Sequence, residues 1–287
     1  MKQLFAAICI SLCVFALASC SEAAPDTGYP DTQTSADAFY CPIMTEIMEN
    51  PPSRSISDAF HDALGAMENG ERVLVLLLDG WGWEKFRYHR DMQPFLSSLD
   101  PEPALAAYVP ISPVGLATIV TGEQPDVHGI QSRADRRMND GVTDIFAEAA
   151  SLGHTVAYIQ GHSGIIQTSL MPILSPSVGG PYGSDSEIFE NARRNLDADF
   201  LFVHFHGIDD MGHEYGPYAK EVGVRMAVID EFVRYLVNNG EHDTVIITAD
   251  HGMHEVQGDD DRLGNHYRFC HEDMIVPYII VQRGALN

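Results

Sequence analysis

The sequence predicts an α/β protein of three layers, α/β/α, with a mostly parallel central sheet. Two observations carry this. Short, near-continuous apolar runs recur along the chain, as in "RVLVLLLDG" (72–80), the composition of a strand covered on both faces. Between them lie segments with apolar residues at helical spacing, and such alternation builds parallel sheets crossed over by helices. With 287 residues, 45% of them apolar, the chain can bury a sizeable core in one large domain.

The first residues, "MKQLFAAICISLCVFALASC", precede that fold. Lys2 supplies a short basic region, and Leu4–Ala18 is an apolar stretch too short for a membrane span but suited to a secretory signal. "LASC" (17–20) resembles the bacterial lipoprotein cleavage box, in which Cys20 becomes the lipidated first residue. An ordinary signal peptide with Cys20 incidental is the alternative. The expected organisation is a leader over 1–19, a flexible tether over 20–37 rich in Pro, Ser, Thr and acid, and a folded domain over 38–287. The protein is then expected to be exported and lipid-anchored to a bacterial membrane on its extracytoplasmic side.

Within the domain, strands are expected at 72–80, 155–161 ("TVAYIQG"), 199–207 ("DFLFVHFHG"), 244–252 ("TVIITADHG") and 276–284 ("VPYIIVQRG"). Helices are expected at 143–153, 186–196 and 219–240. The last carries Val222, Met226, Ile229, Phe232 and Val233 on one face and stops at Gly240. A further helix starts near Ser112-Pro113, Ser suiting the cap and Pro the first turn.

A formal net charge of −24, from 41 acidic and 17 basic residues, makes a nucleic-acid polymer a poor partner. Small anionic substrates remain open, because bound divalent cations reverse a local field. Cys41 and Cys270 are the cysteines left to the domain, either as a disulfide or as two buried thiols.

In α/β sheets ligands sit beyond the carboxyl ends of strands. Asp79 follows one apolar run; Asp250 and His251 follow another; Asp209 and His213 lie just past a third; His266 precedes the last. Singly, each is an ordinary turn or loop residue. Together, three carboxylates and three imidazoles form a mixed nitrogen and oxygen donor set for zinc-like ions, and more than one tetrahedral ion uses. Ser112 reads as an N-cap, and also as a hydroxyl at a helix N-terminus, where anions are favoured and a metal could activate it. Arg133, Arg136 and Arg137 read as a solvated face, and His128, His206 and His254 as structural or supporting residues.

"LLLDGWG", "SPVGLATIVTGEQPDVHGI", "GIDDMGHEYGP", "TADHGM" and "GNHYRFCHEDMIVPYII", in this order, resemble the motifs of the alkaline phosphatase superfamily and its type I phosphodiesterase / nucleotide pyrophosphatase-like branch. The resemblance runs over roughly residues 72–283. It implies an alkaline phosphatase-like catalytic domain holding two divalent metal ions, most often zinc, with manganese or others possible. One would sit on Asp79, Asp250 and His251 beside the nucleophile Ser112, the other on Asp209, His213 and His266; the "GNH" context selects His266 over His271. It implies a hydrolase of small-molecule phosphoric esters, of phosphodiesterase or phosphatase type, working through a phosphoseryl intermediate. A phosphoryl or sulfuryl transferase of the same superfamily is the nearest alternative, and a non-catalytic metal-binding lipoprotein the alternative from another class.

Two departures matter. Nucleotide pyrophosphatase relatives carry threonine at the nucleophile and asparagine three residues on, where this chain has Ser112 and Gly115. Sulfatases mature a C/S-x-P-x-R motif, and here Val114 and Leu116 stand at the Pro and Arg positions.

Overall fold

The fold is that of a computed structural model that describes residues 47, 49–176, 184–256 and 262–285. The leader, Cys20, the tether and Cys41 lie outside the described residues, which belong to one compact unit over 40–287. Cys270 is a free, buried thiol.

In chain order the strands are β1 (Arg54–Ser55), β2 (Val73–Leu78), β3 (Glu102–Leu105), β4 (Val156–Gln160), β5 (Ile173–Leu174), β6 (Phe200–Phe205), β7 (Thr244–Thr248), β8 (His254–Glu255), β9 (Gly264–Asn265) and β10 (Ile275–Gln282). Eight of them form one sheet in the order β1-β3-β10-β7-β2-β6-β4-β5, while β8 and β9 make a separate antiparallel pair. Within the sheet β10 alone runs antiparallel to both neighbours. The central strands β2, β6 and β7 are buried at every residue, which is why their sequences show no polar alternation.

Helices cover the sheet in two groups. Asp58–Glu68 packs on β2 and β7 and against the helices Ser112–Thr121 and Ile145–Ser151. Asp185–Arg194 packs on β4 and β6, and beside it the long Lys220–Asn239 helix packs on Gly207–Tyr215 and Pro94–Ser98. The result is the three-layer α/β/α arrangement with a mostly parallel sheet. Among the described residues no helix is long and apolar enough to cross a membrane.

The five long apolar runs all became strands of the main sheet. The two-residue strands β1 and β5 carry no sequence signal of their own, because two residues define no period. One local expectation is corrected. Ile111 is the cap of the Ser112–Thr121 helix, with no side-chain cap bond, and Ser112 is the first helical residue. Its hydroxyl turns instead toward the ends of β2 and β7.

Candidate active site

Strand register decides what meets. β7, β2 and β6 are parallel neighbours, with Leu77 opposite both Thr248 and His204, and Leu78 opposite Phe205. Their carboxyl ends are therefore level, and Asp79, the Asp250-His251 pair and the Gly207–Tyr215 helix emerge side by side. The antiparallel β10 enters at this same edge, so the loop before it carries His266 there. Parallel strands present the loops that leave them; an antiparallel one presents the loop that enters it.

The first group is tight. Ser112 Oγ lies 3.2 Å from His251 Nε2 and 3.4 Å from Asp79 Oδ1. His251 Nε2 is 3.5 Å from Asp79 Oδ1 and 3.4 Å from Asp250 Oδ2. Asp79, Asp250 and His251 are each buried and share one candidate cation position. Gly80 turns the chain after Asp79 at φ +67°, and a Cβ there would stand 2.7 Å from Asp209 Oδ1. Only glycine combines that backbone conformation with so close an approach to Asp209.

The second group is Asp209, His213 and His266. His213 Nε2 lies 3.1 Å from Asp209 Oδ2, and His266 Nε2 lies 3.6 Å from Asp209 Oδ1. The Asp209 and His213 spacing puts both on one face of the Gly207–Tyr215 helix. The rings of His251 and His266 stack at 3.7 Å and join the two groups.

The donor chemistry fits cations. His251, His213 and His266 each place Nδ1 on a backbone carbonyl, of Gly252 (2.9 Å), Gly264 (2.8 Å) and Pro110 (2.8 Å). A carbonyl only accepts, so Nδ1 carries the hydrogen and Nε2 offers a lone pair to the site. The Nε2 atoms of His213 and His266 then face each other at 3.2 Å, which is favourable only with a proton or cation between them. Asp209 Oδ1 and Asp250 Oδ2 are buried without a hydrogen-bond partner. Such orphaned oxygens are costly, and a bound cation would satisfy them.

The charges are correspondingly strained. Burial, together with the neighbouring Asp79 charge, pushes the Asp250 carboxyl up to about 7. Burial also acts against the Asp79 anion, but hydrogen bonds from His204 and His206 outweigh it and hold that carboxyl well below its usual range. Asp209 is likewise held low against its burial by His213 and His266.

Several supporting residues are structural findings. His204 Nε2 and His206 Nδ1 both lie 3.1 Å from Asp79 Oδ2. The Gly161 amide donates to His206 Nε2 (3.4 Å), so Nδ1 is its protonated nitrogen. Two imidazole donors thus occupy Oδ2 and leave Oδ1 to Ser112 and the cation position. Lys85, buried, donates from Nζ to Gly80 O (2.9 Å); burial pulls its pKa down to about 8 against the nearby carboxylates. Asp185 pairs with Arg225 at 2.6 Å and accepts from the amides of His206 and Gly207, which fixes the turn into the Asp209 helix. Asp273 accepts from His254 Nδ1 and from the amides of Tyr267 and Arg268, fastening the loop that carries His266. Although it too lies in a possible metal-ligand group, with His254 and Cys270, its hydrogen bonds suit this fastening role. No spacing in the sequence marks Lys85, His204 or Asp185. Only packing reveals them.

Arg133 is a correction to the solvated-face expectation. It is exposed, yet one guanidinium nitrogen lies 3.2 Å from His266 Nε2. Arg136 and Arg137 do face solvent, the latter paired with Asp140.

Comparison with known proteins bears on the fold and on part of the sequence pattern. The family pattern described as type I phosphodiesterase / nucleotide pyrophosphatase matches residues 175–276, which include Asp209, His213, Asp250, His251 and His266. The chain is 36% identical over 73 residues to GPI ethanolamine phosphate transferase 3, catalytic subunit, of Homo sapiens, a match covering 24% of this chain and 7% of that protein. It is 30% identical over 99 residues to GPI ethanolamine phosphate transferase 2 of Schizosaccharomyces pombe, covering 28% of this chain and 12% of that protein. The matches thus span a small part of those relatives. Among solved structures, phosphonoacetate hydrolase from Sinorhizobium meliloti 1021 superposes with TM-score 0.55 at 17% identity, covering 67% of this chain and 59% of that one. Murine ectonucleotide pyrophosphatase / phosphodiesterase 5, in complex with AMP, superposes with TM-score 0.52 at 18% identity, covering 65% and 58%. At these identities the superpositions speak for the fold. Residues 175–276 thus carry the type I phosphodiesterase / nucleotide pyrophosphatase pattern, and the chain shares its α/β fold with these two solved structures.

Proposed function

We propose that this chain is an exported hydrolase of small-molecule phosphoric esters, tethered to a membrane through Cys20, with Ser112 as its nucleophile. The observation that carries the reading is the Ser112 hydroxyl set against both Asp79 Oδ1 and His251 Nε2 at the first residue of a helix. Asp79, Asp250 and His251 would hold one divalent ion and Asp209, His213 and His266 a second, zinc suiting the mixed donors best and manganese next. When bound, such ions lower the pKa of a neighbouring hydroxyl and neutralise charge on phosphoryl and leaving oxygens.

The chain's own contribution follows from its geometry. Ser112 gives up its proton to solvent and its Oγ bonds to phosphorus while the ester's alcohol oxygen departs on the far side. The N-terminal end of the Ser112–Thr121 helix favours the anionic group being transferred. His204 and His206 keep Asp79 turned so that Oδ1 faces Ser112. Water then cleaves the phosphoseryl ester and restores the hydroxyl. A second reading has an alcohol take the group in place of water, and the short stretches shared with ethanolamine phosphate transferases favour it.

The test is turnover of a chromogenic phosphate monoester and of its diester analogue by the full chain, with zinc, with manganese and with chelator, beside Ser112→Ala. Chelator-sensitive turnover that falls to background in Ser112→Ala supports the reading, and added alcohols that divert product to new esters select the transferase. Turnover that survives loss of the hydroxyl overturns the assignment of Ser112.

A further inference from the structure

Arg133 is aimed at the site by a chain of contacts that starts on the nucleophile helix. Thr118 Oγ1, buried on that helix, lies 3.1 Å from His128 Nε2. His128 Nδ1 accepts from the Ile130 amide at 3.1 Å, and His128 O accepts from the Asn139 amide at 2.9 Å, so one buried residue clasps both ends of the 130–139 loop, one with its ring and the other with its carbonyl. Inside the loop Asp135 Oδ2 accepts from the amides of Gln131 and Ser132, and Arg136 donates to Arg133 O at 2.8 Å. The loop is thus organised by its own hydrogen bonds, and what it presents to the second group of ligands is the Arg133 guanidinium.

The direction of attack says what that guanidinium would meet. Ser112 stands at the first group, and in-line displacement sends the leaving oxygen away from it, over Asp209, His213 and His266. Arg133 reaches His266 Nε2 there, at 3.2 Å. His266 Nδ1 is committed to the Pro110 carbonyl, so the Arg133 N–H points at the nitrogen that would otherwise face a cation. A guanidinium beside a divalent cation is favourable only with an anion between or alongside them. In a chain of net charge −24, an arginine brought to the site calls for a ligand that is itself negative there.

We propose that Arg133 forms a subsite for a negatively charged substituent on the leaving group, so that the substrate is an ester whose departing alcohol carries a carboxylate or phosphate. This rests on the phosphoryl-transfer reading above and extends it to substrate class. The charge supplies selectivity at the leaving group, whereas a guanidinium on the transferred phosphoryl group would treat all leaving groups alike.

O-phosphoserine and O-phosphoethanolamine differ by a single carboxylate on the leaving alcohol, and their methyl diesters form a second such pair. Calorimetric affinities would be measured for all four with the zinc-loaded full chain carrying Ser112→Ala, which binds without turnover. The same titrations would follow in Ser112→Ala combined with Arg133→Gln or with Arg133→Lys; inorganic pyrophosphate, whose leaving group is phosphate, is the phosphate probe. In at least one ester class, the carboxylate-bearing member should bind about 10-fold more tightly, the scale of one charge-assisted hydrogen bond. Arg133→Gln should abolish that preference, weaken pyrophosphate similarly and leave the ethanolamine ester nearly unchanged, while Arg133→Lys keeps part of it. Equal weakening of both members, a preference that survives Arg133→Gln, or no preference at the outset overturns the subsite while leaving phosphoryl transfer standing. Failure to bind any of the esters overturns both.

Discussion

Gly115 lies so close to Asp250 that a Cβ on it would stand 2.6 Å from the Asp250 Cβ. The Ser112–Thr121 helix therefore presses its backbone onto the end of β7, and this contact helps hold Ser112 near His251. It also accounts for the glycine at a position where nucleotide pyrophosphatase relatives carry asparagine. Gly115→Asn is expected to push Asp250 or the helix aside, costing about 1–3 kcal/mol as overpacking does. Denaturant unfolding would give that figure, and metal stoichiometry would fall with it. A stable, fully metal-loaded Gly115→Asn protein would contradict the close packing.

His204 and His206 donate to the same Asp79 oxygen, so removing either should free Asp79 to rotate. His206→Ala or His204→Ala is expected to weaken metal affinity by about 10–100-fold, the usual cost of losing a partner that orients a ligand. Competition with a fluorescent chelator would measure it. Unaltered affinity would mean that the two imidazoles do not set the Asp79 orientation.

Metal uptake should release protons near neutrality. The metal-free Asp250 carboxyl titrates near 7, held up by burial and by Asp79, with Asp209 also facing it and His251 and the Gly80 amide opposing. A pKa raised in the folded state contributes stability that is full below the unfolded value and lost as pH rises through the folded one. Chelated protein should accordingly lose thermal stability through this group between about pH 4 and 7. Asp79 and Asp209, held low, act oppositely and withdraw stability only at acid pH. Metal binding ionises Asp250, so affinity should climb with pH up to about 7 and then flatten, with less proton release at pH 8 than at pH 6. Titration in weakly buffered solution would show it; release that is the same at both pH values would exclude Asp250 as the source.

The Asp185–Arg225 pair is buried on both sides and also holds the amides of His206 and Gly207. Arg225→Met leaves an uncompensated carboxylate in the interior and should cost about 3–5 kcal/mol. Adding Asp185→Asn to it should recover part of that loss, a coupling that a double-mutant cycle by denaturant unfolding would read. Independent, additive losses would argue against the pair as the brace of this turn.

Legibility differed between residues for physical reasons. Asp79, Asp250 and His251 stand out because they interrupt apolar runs, and Asp209 and His213 because a helix repeats every fourth residue. His266 was legible through its "GNH" context and the motif order, not through periodicity. Lys85 and His204 carry no such mark: one lies in a short helix, the other inside a fully buried strand. Arg133 looks like any loop arginine until a hydrogen-bonded turn delivers it to a histidine far along the chain.

The sequence by itself determined the elements, because the period of apolar residues is a local property that follows from strand and helix geometry. It also determined which donor types stand at the ends of those elements. The pairings were decided only in three dimensions. β7, β2 and β6 had to be neighbours in level register, β10 had to run against them, and Gly80 and Gly115 had to admit close backbone approach, before these carboxylates and imidazoles could share a site. Strand order and register arise from side-chain packing between segments distant in sequence, and no local pattern encodes them.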